Sequence, residues 1–292
     1  MAGILDADPP NMAQGDSFIP CKVNNPPPPF EYAEYHSAVH RPYVGIPHHI
    51  ASLKRIFYPC NARYVYPTAS SVKGVYAAVA KAGASVPTVV IINPDNGDQA
   101  ACPPNADWAH AISTLKAGNV SLIGYVHSSY GKRPFTEYRS EIAAYLQCWE
   151  VDGIFVDEAA DTPDMIPYYK EVSAGVRELR ANASVWLNPG EATDEGYLEV
   201  ADVLVQFESP DAQFQRYVPP AYVSNSTDPG RCSMMVLDVA DETRMEAVVQ
   251  KVRTEGCGWV IVLDKGTSYT SPHVPSFWEQ EVAAAATAAA ID

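Results

Sequence analysis

The sequence predicts an α/β protein folded as a (β/α)8 TIM barrel. Three observations predict it. Eight strand-like apolar runs alternate with eight helix-like stretches, at roughly 30 residues per pair. Several runs are apolar throughout rather than alternating, as strands buried on both faces are. Polar residues then gather where the runs end, which is where barrel enzymes place their chemistry. A doubly wound open sheet is the main rival; it usually has fewer strands, and no GxGxxG follows the first run here.

The first 60 residues stand apart. They hold Pro26-Pro-Pro-Pro29, further prolines and no clean period, so residues 1–60 read as an irregular Pro-rich arm with a local polyproline II stretch. His36 and His40 have helical i, i+4 spacing, but no third ligand of clear type accompanies them and no metal is expected. Residues 61–292 are assigned to the barrel. The strands are expected at Ala62–Tyr66, Thr88–Ile92, Ser121–Val126, Gly153–Val156, Ser184–Leu187, Val203–Gln206, Met234–Leu237 and Trp259–Leu263. Helices are expected at Ser70–Ala82, Asp107–Ala117, Phe135–Cys148, Asp164–Asn182, Asp194–Val200, Asp211–Tyr217, Asp241–Glu255 and Ser276–Ala290. The first opens on capping serines and carries Val72, Val75, Val79 and Ala82 on one face. The third carries Ile142, Tyr145, Leu146 and Trp149 at the same period.

Bulk properties narrow the function. Apolar residues make up 47% of the 292, enough for a sizeable core. Twenty Lys+Arg against 35 Asp+Glu give a formal charge of -15. Such a surface repels nucleic acid and anionic lipid, and it attracts cations if it does more than confer solubility. No run is long and apolar enough to span a membrane, and the N-terminus lacks the basic and apolar regions of a signal peptide, which taken literally argues for an intracellular protein. Three sequons, at Asn119, Asn182 and Asn225, argue the other way. The six cysteines (21, 60, 102, 148, 232 and 257) form no CxxC pair, which disfavours a zinc ribbon or redox motif; disulfides and buried free thiols both fit.

The strand ends carry the chemistry. Gly153-Ile-Phe-Val-Asp157-Glu158 runs from buried strand straight into two carboxylates, and Val203-Leu-Val-Gln-Phe-Glu208 ends in a third. Acids at the ends of different parallel strands are what glycosidic cleavage requires: one protonates the leaving oxygen while the other attacks the anomeric carbon or activates water. Structural salt bridges are the plainer alternative. Adjacent residues on an extended strand point to opposite faces, so one of Asp157 and Glu158 faces the pocket, and the other sits behind it or reaches in around a bulge. Tyr66, Tyr125 and Tyr130 suit stacking on sugar faces; Asn93, His127, Asn188 and Gln206 suit hydrogen bonds to hydroxyl or N-acetyl groups. Asp238 and Asp264 end strands seven and eight and suit helix capping as well as substrate contact.

Taken in order, Tyr66-Pro67, Ile92-Asn93-Pro94 with Gly97, Gly124-Tyr125-Val126-His127 with Tyr130-Gly131, Gly153 to Glu158, Asn188-Pro189-Gly190 and Phe207-Glu208 resemble the spherulin-4-like family, the glycoside hydrolases of family 135. No single piece is specific; the ordered set is. The resemblance implies a secreted or cell-surface endo-hydrolase of α-1,4-linked galactosamine or N-acetylgalactosamine polymers such as galactosaminogalactan. It implies Asp157 as nucleophile, Glu208 as acid/base and Glu158 as a neighbouring acid also needed. With no metal constellation or phosphate loop in the sequence, no cofactor is expected, and the protein is expected to be a monomer. The alternative is a non-catalytic, spherulin-like cell-surface or spore-coat protein that binds glycans. An intracellular enzyme of phosphorylated metabolites fits less well, because strands seven and eight end in Asp238 and Asp264 rather than glycine-rich phosphate turns.

Overall fold

A computed structural model describes residues 66–68, 74–94, 101–264 and 273–287, together with the backbone of 55–61. The Pro-rich stretch with His36 and His40, and the expected strand residues 62–65, lie outside the described residues.

The strands are β1 (Arg55–Asn61), β2 (Thr88–Asn93), β3 (Val120–His127), β4 (Gly153–Asp157), β5 (Ser184–Leu187), β6 (Val203–Pro210), β7 (Cys232–Val239) and β8 (Trp259–Asp264). All pair in parallel with their sequence neighbours, and β1 meets β8 at Arg55↔Trp259 and Ile56↔Val260, so the sheet curls into a barrel. The first strand therefore sits ahead of the expected Ala62–Tyr66, and it begins before the arm was expected to end. The β4 run is buried from Gly153 to Val156 because helices cover its outer face and the barrel interior its inner one. Inside, Trp186 of β5 meets Trp259 of β8 edge-on, with ring centroids 4.9 Å apart.

The helical layer is less regular than the strands. Full helices α1 (Val75–Gly83), α2 (Ala106–Ala117), α3 (Phe135–Ala144), α4 (Ile166–Leu179), α7 (Glu242–Thr254) and α8 (Trp278–Thr287) match expected ones. Asn105 caps α2 by accepting from Trp108 N at 3.0 Å, and Asp241 caps α7 by accepting from Arg244 N at 2.8 Å. Helix α7 buries Met245, Val248, Val249 and Val252, one stripe at helical period, each contributing about 1.5–3 kcal/mol. The expected helix at Asp194–Val200 is instead a 3-10 turn, Glu195–Glu199. The one at Asp211–Tyr217 shrinks to the single turn α5 (Asp211–Phe214), followed by a second turn, α6 (Ala221–Ser224). Prolines 210, 219 and 220 bracket these turns and stop either from growing.

Helix α3 gives way to a π-helical turn at Tyr145–Trp149. Gly124 of β3 lies under it, where an added Cβ would come within 2.3 Å of the Tyr145 ring, so only glycine permits this approach. The turn carries Cys148, which is bonded to Cys102; Cys232 is bonded to Cys257. These four cysteines are thus disulfides rather than free thiols. No described helix is long and apolar enough to cross a membrane.

Two departures from regular pairing bear on the site. Between Val205 and Phe207 the β6–β7 register slips by one residue, leaving Gln206 as a bulge. Past it, Phe207 packs outward on Phe214 and Tyr217, and Glu208 takes the other face. A second slip lies between Val236 and Val239 of β7, where Asp238 has φ 55°.

Candidate active site

A cleft of about 510 Å³ opens beside the C-terminal ends of β4, β5 and β6. Tyr130, Asp157, Glu158, Asn188, Pro189, Gly190, Glu191, Glu208, Ser209, Pro210 and Leu237 line it.

Asp157 is the last residue of β4. Its Oδ2 accepts from the Tyr125 hydroxyl at 2.7 Å and its Oδ1 from Asn188 Nδ2 at 2.8 Å. Two donors, one on each oxygen, fix the orientation of the carboxyl group. Burial first, and then the neighbouring Asp157 carboxylate, push the Tyr125 hydroxyl far above its ordinary pKa, so it remains a donor throughout the working pH range.

Glu158 follows with φ 50°, the left-handed region that costs a non-glycine residue on the order of 1 kcal/mol or more. The turn breaks strand alternation, so Asp157 and Glu158 both line the cleft; a local backbone twist takes the part expected of a bulge. Three hydrogen bonds hold it. The Glu158 carbonyl accepts from Tyr130 N at 2.6 Å and from Ser128 Oγ at 2.8 Å, and Ala159 N donates to the Asn188 carbonyl at 2.9 Å. Ser128 Oγ lies 3.0 Å from the Tyr169 hydroxyl, which accepts from Ala160 N at 2.6 Å. Tyr169 therefore donates to Ser128 and Ser128 to Glu158, a relay through two buried side chains. His127 Nδ1 lies 3.1 Å from Ser129 Oγ and 3.7 Å from Glu158 Oε2. Beneath them Arg133 pairs with Glu141 and donates to the His127 carbonyl at 3.3 Å, fixing the β3–α3 loop.

The third acid enters from β6. Glu208 N donates to the Gly190 carbonyl at 2.8 Å, and its Oε2 accepts from Asn188 Nδ2 at 2.6 Å. One amide nitrogen thus bridges the two acids, and the bridged oxygens are no further apart than 5.4 Å, the sum of 2.8 and 2.6 Å. Asn188 itself is pinned by its own N–H to the Val156 carbonyl at 2.9 Å. Gly190 has φ 72°, which glycine adopts freely, and a Cβ there would sit 3.5 Å from Glu208 Cβ.

Of the residues expected from sequence, Asp157, Glu158, Glu208, Asn188 and Tyr130 line the cleft, with Tyr125 and His127 hydrogen-bonded behind. Asn188 serves the two acids rather than a hydroxyl. Gln206 is a correction: it is 1% exposed, and its amide nitrogen donates to the Tyr222 hydroxyl at 3.0 Å and lies 3.4 Å from Thr193 Oγ1, inside the wall. Tyr66 donates to Asp107 at 3.0 Å and packs edge-on to Trp108. Asn93 is buried at the end of β2, and Asp238 is exposed at the end of β7. Sequence reasoning missed Glu191, Ser209, Pro210 and Leu237 as lining residues; their only signal was proximity to strand ends. Among the described residues no group of three or more His, Cys, Asp or Glu is arranged to hold a metal.

Residues 55–285 match the family model described as spherulation-specific family 4. Spherulin-4 of Physarum polycephalum is 35% identical over 146 residues, a match spanning 50% of this chain and 42% of that protein. Aspergillus clavatus Sph3, solved in complex with GalNAc, superposes with a TM-score of 0.68 at 25% identity, covering 80% of this chain and 98% of Sph3. A GH18 chitinase from Pseudoalteromonas aurantia superposes with a TM-score of 0.52 at 12% identity, covering 78% and 99%, which speaks to the fold alone. With four-fifths of its length inside the family model, the chain belongs to spherulation-specific family 4.

Proposed function

We propose that this protein is a retaining glycoside hydrolase on a (β/α)8 frame, cleaving α-1,4-linked N-acetylgalactosamine or galactosamine polymers within the chain. The observation that carries the reading is the placement of Asp157 and Glu208 on one Asn188 nitrogen. Carboxyl groups about 5–5.5 Å apart suit double displacement, whereas inversion needs roughly 6.5–9.5 Å to admit a water. The 5.4 Å upper bound on the bridged oxygens agrees with the first. The likeness to Sph3, whose complex holds GalNAc, supports the sugar class.

In this mechanism the Asp157 carboxylate, oriented by its two donors, attacks the anomeric carbon as Glu208 gives its proton to the departing glycosidic oxygen. A covalent glycosyl-enzyme forms. Glu208, now a base, takes a proton from water; the resulting hydroxide displaces Asp157 and the anomeric configuration is kept. Asn188 holds Glu208 Oε2 as an acceptor, which directs the transferable proton to Oε1. Exposed Tyr130 at the mouth suits stacking on a sugar ring. The disulfides Cys102–Cys148 and Cys232–Cys257 support work in an oxidising compartment, outside the cell or at its surface.

The test is reducing-end release from galactosaminogalactan by the parent protein beside Asp157→Asn and Glu208→Gln. Release by the parent and loss in both folded variants is the expected result. Binding of the polymer without release by the parent would sink the hydrolase and favour a glycan-binding barrel.

A further inference from the structure

The three sequons share one face of the barrel. Asn119 lies between α2 and β3, Asn182 between α4 and β5, and Asn225 directly after α6 on the way to β7. All three are exposed, and none has proline at its second position. Turns that lead into parallel strands gather at the strands' N-terminal ends, the face opposite the cleft. Asn225 is held there: a Cβ on Gly256, in the turn that feeds β8, would come within 2.6 Å of the Val223 carbonyl and 3.2 Å of Ser224 Cα. Asn119 and His127 are separated by the whole of β3, about 26 Å at about 3.3 Å per residue.

The other asparagines of the described strands and loops divide the opposite way. Asn61 and Asn93 end β1 and β2, Asn105 caps α2 and Asn188 follows β5, all on the cleft's face, and none has Ser or Thr two residues on. Turn chemistry explains an asparagine at 119, where φ is 61°, and at 182 and 225. It does not explain the hydroxyl two places further, at Ser121, Ser184 and Thr227. Among the described residues no side-chain hydrogen bond engages these three hydroxyls or the three amides, so the fold asks nothing of them.

We infer that Asn119, Asn182 and Asn225 carry N-linked glycans, which clothe the N-terminal face of the barrel and leave the cleft open to a long polymer. In the transfer, the amide nitrogen attacks the anomeric carbon of an oligosaccharide carried on a polyprenyl diphosphate. A C–N bond forms, the C–O bond to the diphosphate breaks with its electron pair, and one amide proton goes to solvent. The inference rests on the passage into an oxidising compartment proposed above, and not on hydrolysis.

The protein is recovered from its own cells and their medium, digested with peptide-N-glycosidase in heavy-oxygen water and read by peptide mass spectrometry beside a free-thiol assay. The expected result is heavy-labelled aspartate at two or more of the three positions, with Asn105 and Asn188 unlabelled. Label at one position or none overturns the inference. If Cys102, Cys148, Cys232 and Cys257 are then oxidised, the compartment stands; if they are free thiols, it falls as well. The face is read on folded protein stripped by the same enzyme, which needs no variant to fold. Its kcat/KM, or its affinity for the polymer where no ends are released, is expected to stay within about twofold of the untreated protein. A larger change sets the glycans beside the cleft and overturns the placement.

Discussion

Asn188 Nδ2 donates to Glu208 Oε2 at 2.6 Å, and the same nitrogen holds Asp157 Oδ1 at 2.8 Å. A donor shared by two carboxylates fixes where both sit. In Asn188→Ala both acids lose that anchor, and kcat should fall on the order of 100-fold in a protein that still folds. Steady-state kinetics beside a thermal melt measure both. An unchanged kcat in the folded variant would show that the bridge does not position the acids.

The strained turn at Glu158 depends on Ser128 and Tyr169. Ser128→Ala removes the buried hydroxyl that donates to the Glu158 carbonyl and leaves Tyr169 without its acceptor. The expected cost is about 1–3 kcal/mol in urea unfolding, with kcat/KM lowered about tenfold as the Glu158 carboxylate swings from its place. Full activity in a destabilised protein would mean the relay only supports the fold.

Glu281 of α8 is wholly buried, with Oε1 accepting from Val262 N of β8 at 3.0 Å. Burial first, and then the charge of Asp264, lift its pKa to about 8. The folded protein holds this proton far more tightly than the unfolded chain does. Stability from this group is therefore complete below about pH 4.5, declines as pH rises, and is gone above about pH 8. Glu281→Gln keeps the acceptor for Val262 and removes the titration, so its Tm should depend less on pH across that window. A thermal-melt series from pH 5 to about 9 reads this directly. Parallel curves for the parent and the variant would place the proton elsewhere.

The two disulfides close loops of 46 and 25 residues. Chain entropy alone assigns them roughly 4 and 3.5 kcal/mol. Paired replacements, Cys102→Ser with Cys148→Ser and Cys232→Ser with Cys257→Ser, should each lower the unfolding free energy by about that much. The first should cost slightly more, because its loop is longer. Denaturant titrations of the two double variants test the order.

How much of this was legible in the sequence varies with the kind of signal. The end of β4 was plain, because an apolar run that stops on two acids has few structural readings. Glu208 was legible for the same reason. The role of Asn188 was not, since Asn-Pro-Gly reads as ordinary turn chemistry and nothing local shows which side chains will meet it. The sequence points to a first strand too far along the chain because Pro59 interrupts Arg55–Asn61, whereas Ala62–Tyr66 alternates cleanly. The 3-10 turn at Glu195–Glu199 carries helix-like residues in too short a space to show which helix they form. Glu281 sits among alanines in helix α8, where a carboxylate normally faces water, and only the tertiary packing of that helix buries it.

The bulge at Gln206 decides which way Glu208 looks, because one residue of slip exchanges the two faces of everything beyond it. Drawing Gln206 into regular pairing, with no residue lost, would set Phe207 opposite Met235, turning it toward the cleft and Glu208 toward the helices. Deleting Gln206 would not, because Phe207 would stay opposite Met234 and Glu208 opposite Met235. A change that closes the bulge could therefore disarm the cleft with every acid retained, and the pairing of β6 on β7 says more than an inventory of acids about which relatives keep Glu208 in place.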